Sequence, residues 1–240
     1  GYWPFWKAST PDGEIPTDHA IFALLWSEAV NRGIKYIISG MNFATEAMSI
    51  PSWSYGHSDW RYIRAVHRRF GTVKLRRYPH FSLFRLGWIN AVRGVRTVSI
   101  LNYGDYQRAE AMKQLQEELG WVYYGGKHYE SVYTRFWQGY VLPRKFGIDK
   151  RYGHCSDLIN AGQMTREEAR QLLKEDPYPA SLAEEDRRYV IKKLGLTEAE
   201  FEDLMAKPVR SFRDYPNSFA MVESLKRAVT SLRGRGWYSR

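Results

Sequence analysis

The sequence predicts an α/β fold in which a small parallel sheet is followed by a helical region. Residues 34–38 and 95–101 are short apolar segments typical of strands, and apolar residues at helical spacing accompany each of them. Beyond Gly147 the pattern is helical, with repeated signals for helix starts. We therefore expect an α/β part over residues 1–150 and a helical part over residues 151–240.

The first helix is expected to begin at Thr17 or Asp18. Pro16 cannot lie in a helix interior, whereas either of these side chains can accept the free amide hydrogens of a first turn. Arg32-Gly33 is typical of a helix end. Between these limits the apolar residues recur at helical spacing, at Ile21, Phe22, Leu24, Leu25 and Ala29.

Both strand candidates lead into polar loops. Residues 34–38 are rich in β-branched residues and end at Ser39-Gly40, as a buried strand of a parallel sheet does. The strand at 95–101 precedes a helix at 107–119 that ends at Gly120. Open α/β sheets bind ligands in such loops, at the carboxyl ends of the strands. Doubly wound sheets commonly have about five or more strands, so we expect a very small sheet or further strands upstream of Gly1.

The C-terminal part contains three pairings of a helix-capping hydroxyl with a carboxylate three residues later. They predict helices near residues 166–175, 182–194 and 198–206. Residues 233–237 are expected to form a loose basic tail. The three pairings are Thr165 with Glu168, Ser181 with Glu184 and Thr197 with Glu200.

Composition limits the class of protein. The 240 residues carry 36 Lys+Arg, 26 Asp+Glu and a single Cys, for a formal charge of +10. One cysteine excludes an internal disulfide framework and a thiolate zinc cluster. No apolar run reaches the roughly 18 residues that a membrane span needs. We expect a cytoplasmic protein without a membrane span.

The positive charge is concentrated in residues 61–96, which contain ten Lys/Arg and no acidic residue. A solvated basic face with its aromatic residues turned into the core is one interpretation. A nucleic-acid surface is a second, and a site for a phosphorylated small molecule or an acidic partner is a third. Charge alone does not choose among them.

Two loops carry residues suited to phosphate chemistry. Asn42, Thr45 and Glu46 can reach one point, and such groups suit a Mg²⁺ ion that bridges to phosphates; the alternative is an ordinary turn capped by Thr45. Behind the paired glycines of residues 125–126, Lys127 and Arg135 supply the charge that a pyrophosphate leaving group needs. The Walker A pattern is absent, and the six histidines lack metal-ligand spacing. A third group, residues 144–151, offers four cations around one turn or a solvated helix approach.

Taken together, several segments resemble the N-acetyl sugar amidotransferase family of lipopolysaccharide O-antigen biosynthesis. The resemblance runs from about residue 14 to about residue 179. It is carried by EIPTDHAIFALL, YIISGMNFATEAM, LNYGDY, GGKHYESVYTRFWQGYVLPRKFGIDKR and LINAGQMTREEA, in this order.

The resemblance implies the fold and the reaction. Family members look like PP-loop ATP pyrophosphatases with an adenine nucleotide alpha-hydrolase-like sheet. They are thought to convert the N-acetyl group of a nucleotide-linked sugar to an acetamidino group, through an adenylated intermediate that ammonia attacks. ATP and Mg²⁺ are the implied cofactors, and a glutaminase with a cyclase-like subunit supplies the ammonia.

Site residues follow from motif positions. Ser39, Gly40, Asn42, Thr45 and Glu46 stand where related synthetases carry a Thr-x-Asn-x-Ser-Glu loop near the ATP phosphates, with Glu46 as a magnesium ligand. Ser39-Gly40 departs from the usual Gly-Thr. Lys127 would stabilise pyrophosphate, and the weaker candidates are Arg135, Lys145 and Lys150.

One departure limits the resemblance. Family members carry, upstream, a Ser-Gly-Gly-x-Asp-Ser phosphate loop preceded by paired cysteines, and neither is present in this sequence. The chain, which opens without Met, is thus expected to be the C-terminal portion of an enzyme and to bind ATP poorly by itself. Two alternatives remain, a basic PP-loop-related RNA-modifying or nucleic-acid-binding protein and an inactive scaffold. We expect no nucleic-acid partner.

Overall fold

The computed structural model describes residues 3–48, 50 and 52–234. Within these residues the chain is mixed α/β but mostly helical, with two strands in one parallel pair. The larger PP-loop sheet stays a prediction.

The elements follow one another in this order. The α/β part contains α1 (Trp3–Ala8), α2 (Ile15–Asn31), β1 (Tyr36–Ser39), α3 (Phe43–Glu46), α4 (Trp60–Phe70), α5 (Leu83–Ala91), β2 (Arg96–Ser99), a 3₁₀ turn (Ile100–Tyr103) and α6 (Arg108–Leu119). Next come α7 (Val132–Phe136), a π turn (Trp137–Val141), α8 (Leu142–Phe146), α9 (Arg151–Asn160) and α10 (Arg166–Lys174). The last elements are α11 (Ala180–Leu194), α12 (Glu198–Ala206), a 3₁₀ turn (Phe212–Asp214) and α13 (Phe219–Gly234).

The two predicted strands are confirmed, although the first is not a buried strand. β1 and β2 are parallel, and the register aligns Ile37 with Thr97. Ile37 packs against α2 and α5, whereas Tyr36 and Ile38 are 62% and 64% exposed. Successive side chains of a strand point to opposite faces, and these helices cover only one face of the pair.

The start of α2 corrects the predicted cap. The helix begins at Ile15, so Thr17 and Asp18 lie inside its first turn, and Pro16 occupies a position where its missing N–H costs no helical bond. The predicted apolar stripe is also only partly covered. Ala29 is buried, but three members of the stripe are about half exposed, namely Ile21, Leu24 and Leu25.

The C-terminal helices match the predictions except at one cap. Thr165 and Thr197 form complete capping boxes at the starts of α10 and α12. The predicted capping box at Ser181 is wrong. Helix α11 begins at Ala180 with Pro179 as its N-cap, so Ser181 lies inside the first turn. Helix α13 includes Gly234, the second residue of the predicted tail, and residues 235–237 of that tail lie outside the described residues.

Helix α1 lies between two hydrophobic clusters. Phe5 belongs to a cluster with α4 and Tyr215, while its neighbour Trp6 belongs to a larger cluster built by α7, the π turn, α11 and α12. The Trp6 ring contacts Trp137 edge to face, with ring centroids 4.8 Å apart. The N-terminal segment thereby connects the α/β part with the helical part. None of the helices in the described residues is long and apolar enough to cross a membrane.

Candidate active site around Lys127

The loop that follows α6 brings Lys127 to the end of α3. Lys127 Nζ lies 3.1 Å from the carbonyl oxygen of Thr45, 3.3 Å from His154 Nδ1 and 3.5 Å from Glu46 Oε1. The loop at residues 39–46 and the cluster at residues 125–130 therefore meet at one ammonium group, with α9 contributing the histidine.

Helix α3 is held in place by its cap and by α9. Asn42 Oδ1 accepts hydrogen bonds from the Thr45 backbone N–H at 2.9 Å and from the Thr45 hydroxyl at 3.1 Å, so the cap is Asn42 rather than Thr45. Asp157 on α9 accepts the Met48 backbone N–H at 2.8 Å. These bonds fix the short helix on which Glu46 stands.

The backbone around Lys127 has an unusual conformation. Gly125 has a φ of +93°, and His128, a non-glycine residue, has a φ of +67°. A Cβ atom at Gly126 would come within 2.7 Å of the Tyr129 ring. Left-handed backbone at a residue other than glycine costs conformational energy and is concentrated at functional sites. The loop thus needs its two glycines to present Lys127 in this position.

Burial controls the charges of this cluster. Burial lowers the pKa of Lys127, and the Glu46 carboxylate opposes that effect. Burial, together with the Lys127 charge, lowers the pKa of His154 to about 3. The ring of His154 is therefore neutral at pH 7, and its Nδ1 can accept a hydrogen bond from the Lys127 ammonium.

Two adjoining cavities of about 400 and 390 Å³ open beside Lys127. We call the first the aromatic cavity, because Thr45, Glu46 and His154 share it with four aromatic residues, Tyr106, Trp121, Tyr123 and Tyr124. The second, the polar cavity, contains Arg135, Gln138, Asp149, Lys150 and Cys155. Both cavities are lined by Lys127, His154, Arg108, Tyr123, Gly126 and Leu158.

The remaining residues of the 39–46 loop lie behind this site. The Ser39 hydroxyl accepts the Met41 backbone N–H at 3.2 Å, and the Asn42 side-chain amide donates to the Gly40 carbonyl oxygen at 3.4 Å. Asn42 is buried. Of the five loop residues predicted from the motif, Thr45 and Glu46 line the aromatic cavity.

Arg135 borders the polar cavity, but its guanidinium is bound to Asp186. Its Nε and Nη2 atoms donate to the Asp186 carboxylate at 2.6 and 2.7 Å, and the Tyr178 hydroxyl donates to the same buried carboxylate. This bidentate pair connects α7 to α11. The observed role of Arg135 is therefore to hold these helices together.

Lys145 and Lys150 have different surroundings. Lys145 Nζ donates to the carbonyl oxygens of Leu204, Met205 and Lys207 at 2.6, 3.0 and 2.9 Å, at the C-terminal end of α12. Burial lowers the pKa of Lys145 to about 8. Lys150 lines the polar cavity, and its ammonium makes no hydrogen bond or ion pair to any residue that the structure describes.

Residues 130–226 match the family model described as LPS biosynthesis protein WbpG-like, C-terminal domain. This part of the chain is similar to a WbpG-like C-terminal domain. The finding agrees with the family resemblance of the sequence and supports a role in lipopolysaccharide biosynthesis. No curated protein and no solved structure shows significant similarity to the chain.

The site extends across the boundary of the WbpG-like domain. Arg135, Lys150 and His154 lie inside the matched segment, whereas Glu46 and Lys127 lie before it. The cavities beside Lys127 are thus formed jointly by the WbpG-like domain and the preceding α/β part.

Two carboxylates, those of Glu46 and Glu130, line the aromatic cavity, where a metal ion could bind. Among the described residues, no group of three His, Cys, Asp or Glu side chains is placed to hold a metal. Glu46 faces the Lys127 ammonium, and this adjacent pair of opposite charges is complementary to a cation and its phosphate. Magnesium is commonly held by one or two carboxylates together with phosphates and water. The donor set therefore fits a magnesium ion that arrives with a phosphate ligand.

Sequence reasoning missed several residues that line the cavities. Arg108 lines both cavities and is the first residue of α6. It lies after β2, and the segment that follows a parallel strand commonly carries ligand-binding residues. The aromatic run from Trp121 to Tyr124 follows the Gly120 helix end directly. His154 is one of the six histidines without metal-ligand spacing, and its contact with Lys127 joins residues that are 27 positions apart.

Proposed function

We propose that the protein is an ATP-dependent amidotransferase of lipopolysaccharide biosynthesis. It would convert the N-acetyl group of a nucleotide-linked sugar to an acetamidino group through an adenylated amide and ammonia. The observation that carries the proposal is the contact of Lys127 with Glu46 between two cavities, in a chain whose C-terminal part is WbpG-like.

Lys127 is the group that would stabilise a departing pyrophosphate. Its three ammonium protons face the Thr45 carbonyl, His154 Nδ1 and Glu46, and the Glu46 contact, at 3.5 Å, is the longest. A phosphate oxygen can replace Glu46 while the other two contacts hold the ammonium in position. A positioned cation in a partly desolvated site stabilises developing negative charge more strongly than it does in water.

ATP, when bound with Mg²⁺, supplies the adenylyl group that makes the amide oxygen a leaving group. Glu46, once released from Lys127, is the residue that would hold the metal. Arg108 and Lys150 line the same cavities and would bind further phosphate oxygens. Ammonia would come from the glutaminase and cyclase-like subunits that the resemblance implies.

The two cavities suit the two ends of a nucleotide-linked sugar. Trp121, Tyr123 and Tyr124 offer flat surfaces on which a nucleobase can stack, as bases do on aromatic side chains. The polar cavity has hydrogen-bonding groups for a sugar, among them Gln138 and Lys150. The diphosphate between base and sugar would then pass Arg108, which lines both cavities.

The test measures substrate binding and turnover separately. Calorimetry with a UDP-linked N-acetyl sugar should show binding to the wild-type chain, weakened at least about tenfold in Arg108→Gln because one charge-assisted phosphate contact is lost. Lys113→Gln is the matched control, since Lys113 is exposed on α6 and pairs with Glu117 of the same helix. With ATP, Mg²⁺ and ammonium, release of pyrophosphate should depend on the sugar.

Absence of binding by the wild-type chain, or equal binding by Arg108→Gln, would contradict the proposed substrate site. Mass spectrometry of the sugar tests the reaction itself, because exchange of the carbonyl oxygen for an NH group identifies the acetamidino product. If the sugar binds and turnover by the wild-type chain needs an added Ser-Gly-Gly-x-Asp-Ser segment, the expectation that the chain binds ATP poorly by itself is supported.

A further inference from the structure

Helix α4 presents a row of arginines because its other face is buried. Tyr62, Ile63 and Val66 pack against α1. Residues three and four positions apart share one side of a helix, so the exposed side carries Arg61, Arg64 and Arg68. Three of the ten basic residues of the stretch 61–96 are thereby gathered on one surface.

A groove of about 440 Å³ lies between these arginines and the turn at Tyr215-Pro216. Ala65, a small residue, leaves space between the long side chains. The groove is lined by Arg61, Arg64, Ala65, Arg68, Arg69, Tyr215 and Pro216. We call it the arginine groove.

No carboxylate lines the arginine groove. Within the described residues, the guanidinium groups of Arg61, Arg64 and Arg68 make neither a hydrogen bond nor an ion pair. Other arginines of this chain do find acidic partners. Arg187, for example, pairs with both Glu198 and Glu202. Like charges on one helix face repel one another, and an anion between them would relieve that repulsion.

The backbone on the two sides of the groove is held in place before any ligand arrives. Asp59 caps α4 and also accepts the Ser218 backbone N–H at 2.5 Å, which connects α4 to the segment after Pro216. The Tyr215 hydroxyl donates to the Ala8 carbonyl oxygen at 2.9 Å. A site that is already in its binding geometry loses little affinity to ordering.

We propose that the arginine groove binds a phosphate group, at a position distinct from Lys127. The guanidinium fork matches phosphate oxygens in pairs, and Arg is preferred to Lys where two oxygens are bound at once. The phosphate can come from a soluble diphosphate or from the head group of an anionic lipid. The proposal does not depend on the amidotransferase reaction.

The experiment compares Arg64→Gln/Arg68→Gln with two other variants of the full chain. Arg166→Gln/Lys192→Gln removes the same charge from α10 and α11, outside the groove, and Lys127→Gln alters the other phosphate site. The probes are inorganic pyrophosphate, vesicles of phosphatidylcholine with or without phosphatidylglycerol, and single-stranded RNA. Circular dichroism checks that each variant is folded.

The expected result is at least about a tenfold loss of affinity in Arg64→Gln/Arg68→Gln for pyrophosphate or for the vesicles, with Arg166→Gln/Lys192→Gln unchanged. Loss for pyrophosphate identifies a soluble phosphate, and loss for phosphatidylglycerol vesicles identifies a lipid head group. Equal losses in the two double variants, loss only in Lys127→Gln, or no binding of either pyrophosphate or the vesicles would overturn the proposal. Groove-dependent binding of single-stranded RNA alone would overturn it as well.

Discussion

His154 shows how one side chain takes its chemistry from its neighbours. Because burial and the Lys127 charge lower its pKa to about 3, the ring stays neutral beside an ammonium group. It therefore serves Lys127 as a hydrogen-bond acceptor. The sequence contains the histidine, but the contact that determines its protonation state is tertiary.

This protonation state predicts a pH dependence. The folded chain holds His154 neutral, whereas the unfolded chain protonates it near its ordinary pKa of 6.5. Its contribution to stability is therefore complete above pH 6.5 and decreases as the pH falls towards about 3.

The measurement compares denaturant unfolding of the wild type with that of His154→Asn from about pH 7 to about pH 4. Asparagine keeps an acceptor near the position of Nδ1 but does not titrate. The wild type should lose stability relative to this variant as the pH falls. Buried acids such as Asp18, with a pKa that burial raises to about 6, titrate in both proteins. Their effect on stability therefore cancels in the comparison. A difference independent of pH would contradict the assignment.

At the scale of the element, similar sequence patterns led to different structures. Thr165 with Glu168 forms a reciprocal cap, but Ser181 with Glu184 does not, because Pro179 and Ala180 already begin α11. Proline is compatible with the start of a helix. The local pattern indicates a helix correctly and misplaces its first residue.

This difference predicts unequal effects of two similar substitutions. Thr165→Ala should lower the free energy of unfolding by about 1 kcal/mol, since it removes the hydroxyl that accepts the Glu168 backbone N–H. Ser181→Ala, at an exposed position inside the first turn, should change it by less than about 0.5 kcal/mol. Chemical denaturation measures both, and equal losses would mean that Ser181 is a cap after all.

At the scale of the whole molecule, α1 connects the two hydrophobic clusters. Phe5 is 1% exposed in one cluster and Trp6 is 2% exposed in the other. A short helix with buried residues on both sides gains stability from each cluster. We therefore expect the α/β part and the helical part to unfold together.

Trp6→Ala tests this coupling. Removing a buried tryptophan should cost about 3–5 kcal/mol and shift a single unfolding transition. Lys7→Ala, on the same helix, is the control and should cost less than about 1 kcal/mol, because its partly exposed ammonium makes a cation–π contact with the Trp3 ring. If unfolding instead shows two separate transitions and Trp6→Ala shifts one of them, the two hydrophobic clusters unfold independently.

The sequence alone predicted α2, both strands, α6 and the three helices α10 to α12, because helix caps, glycine helix ends and β-branched runs act over a few residues. Thus α6 ends at Gly120 with a φ of +63°, and both strands lie where their composition predicts them. Only the tertiary structure decided which faces are covered and which charges meet. Glu46 and Lys127 are 81 positions apart in the sequence, and their contact depends on how α3 packs on α9 and on the loop geometry at Gly125 and Gly126. The amphipathic pattern of α4 shows that arginines lie outside, but the folding of Tyr215 beside them forms the groove.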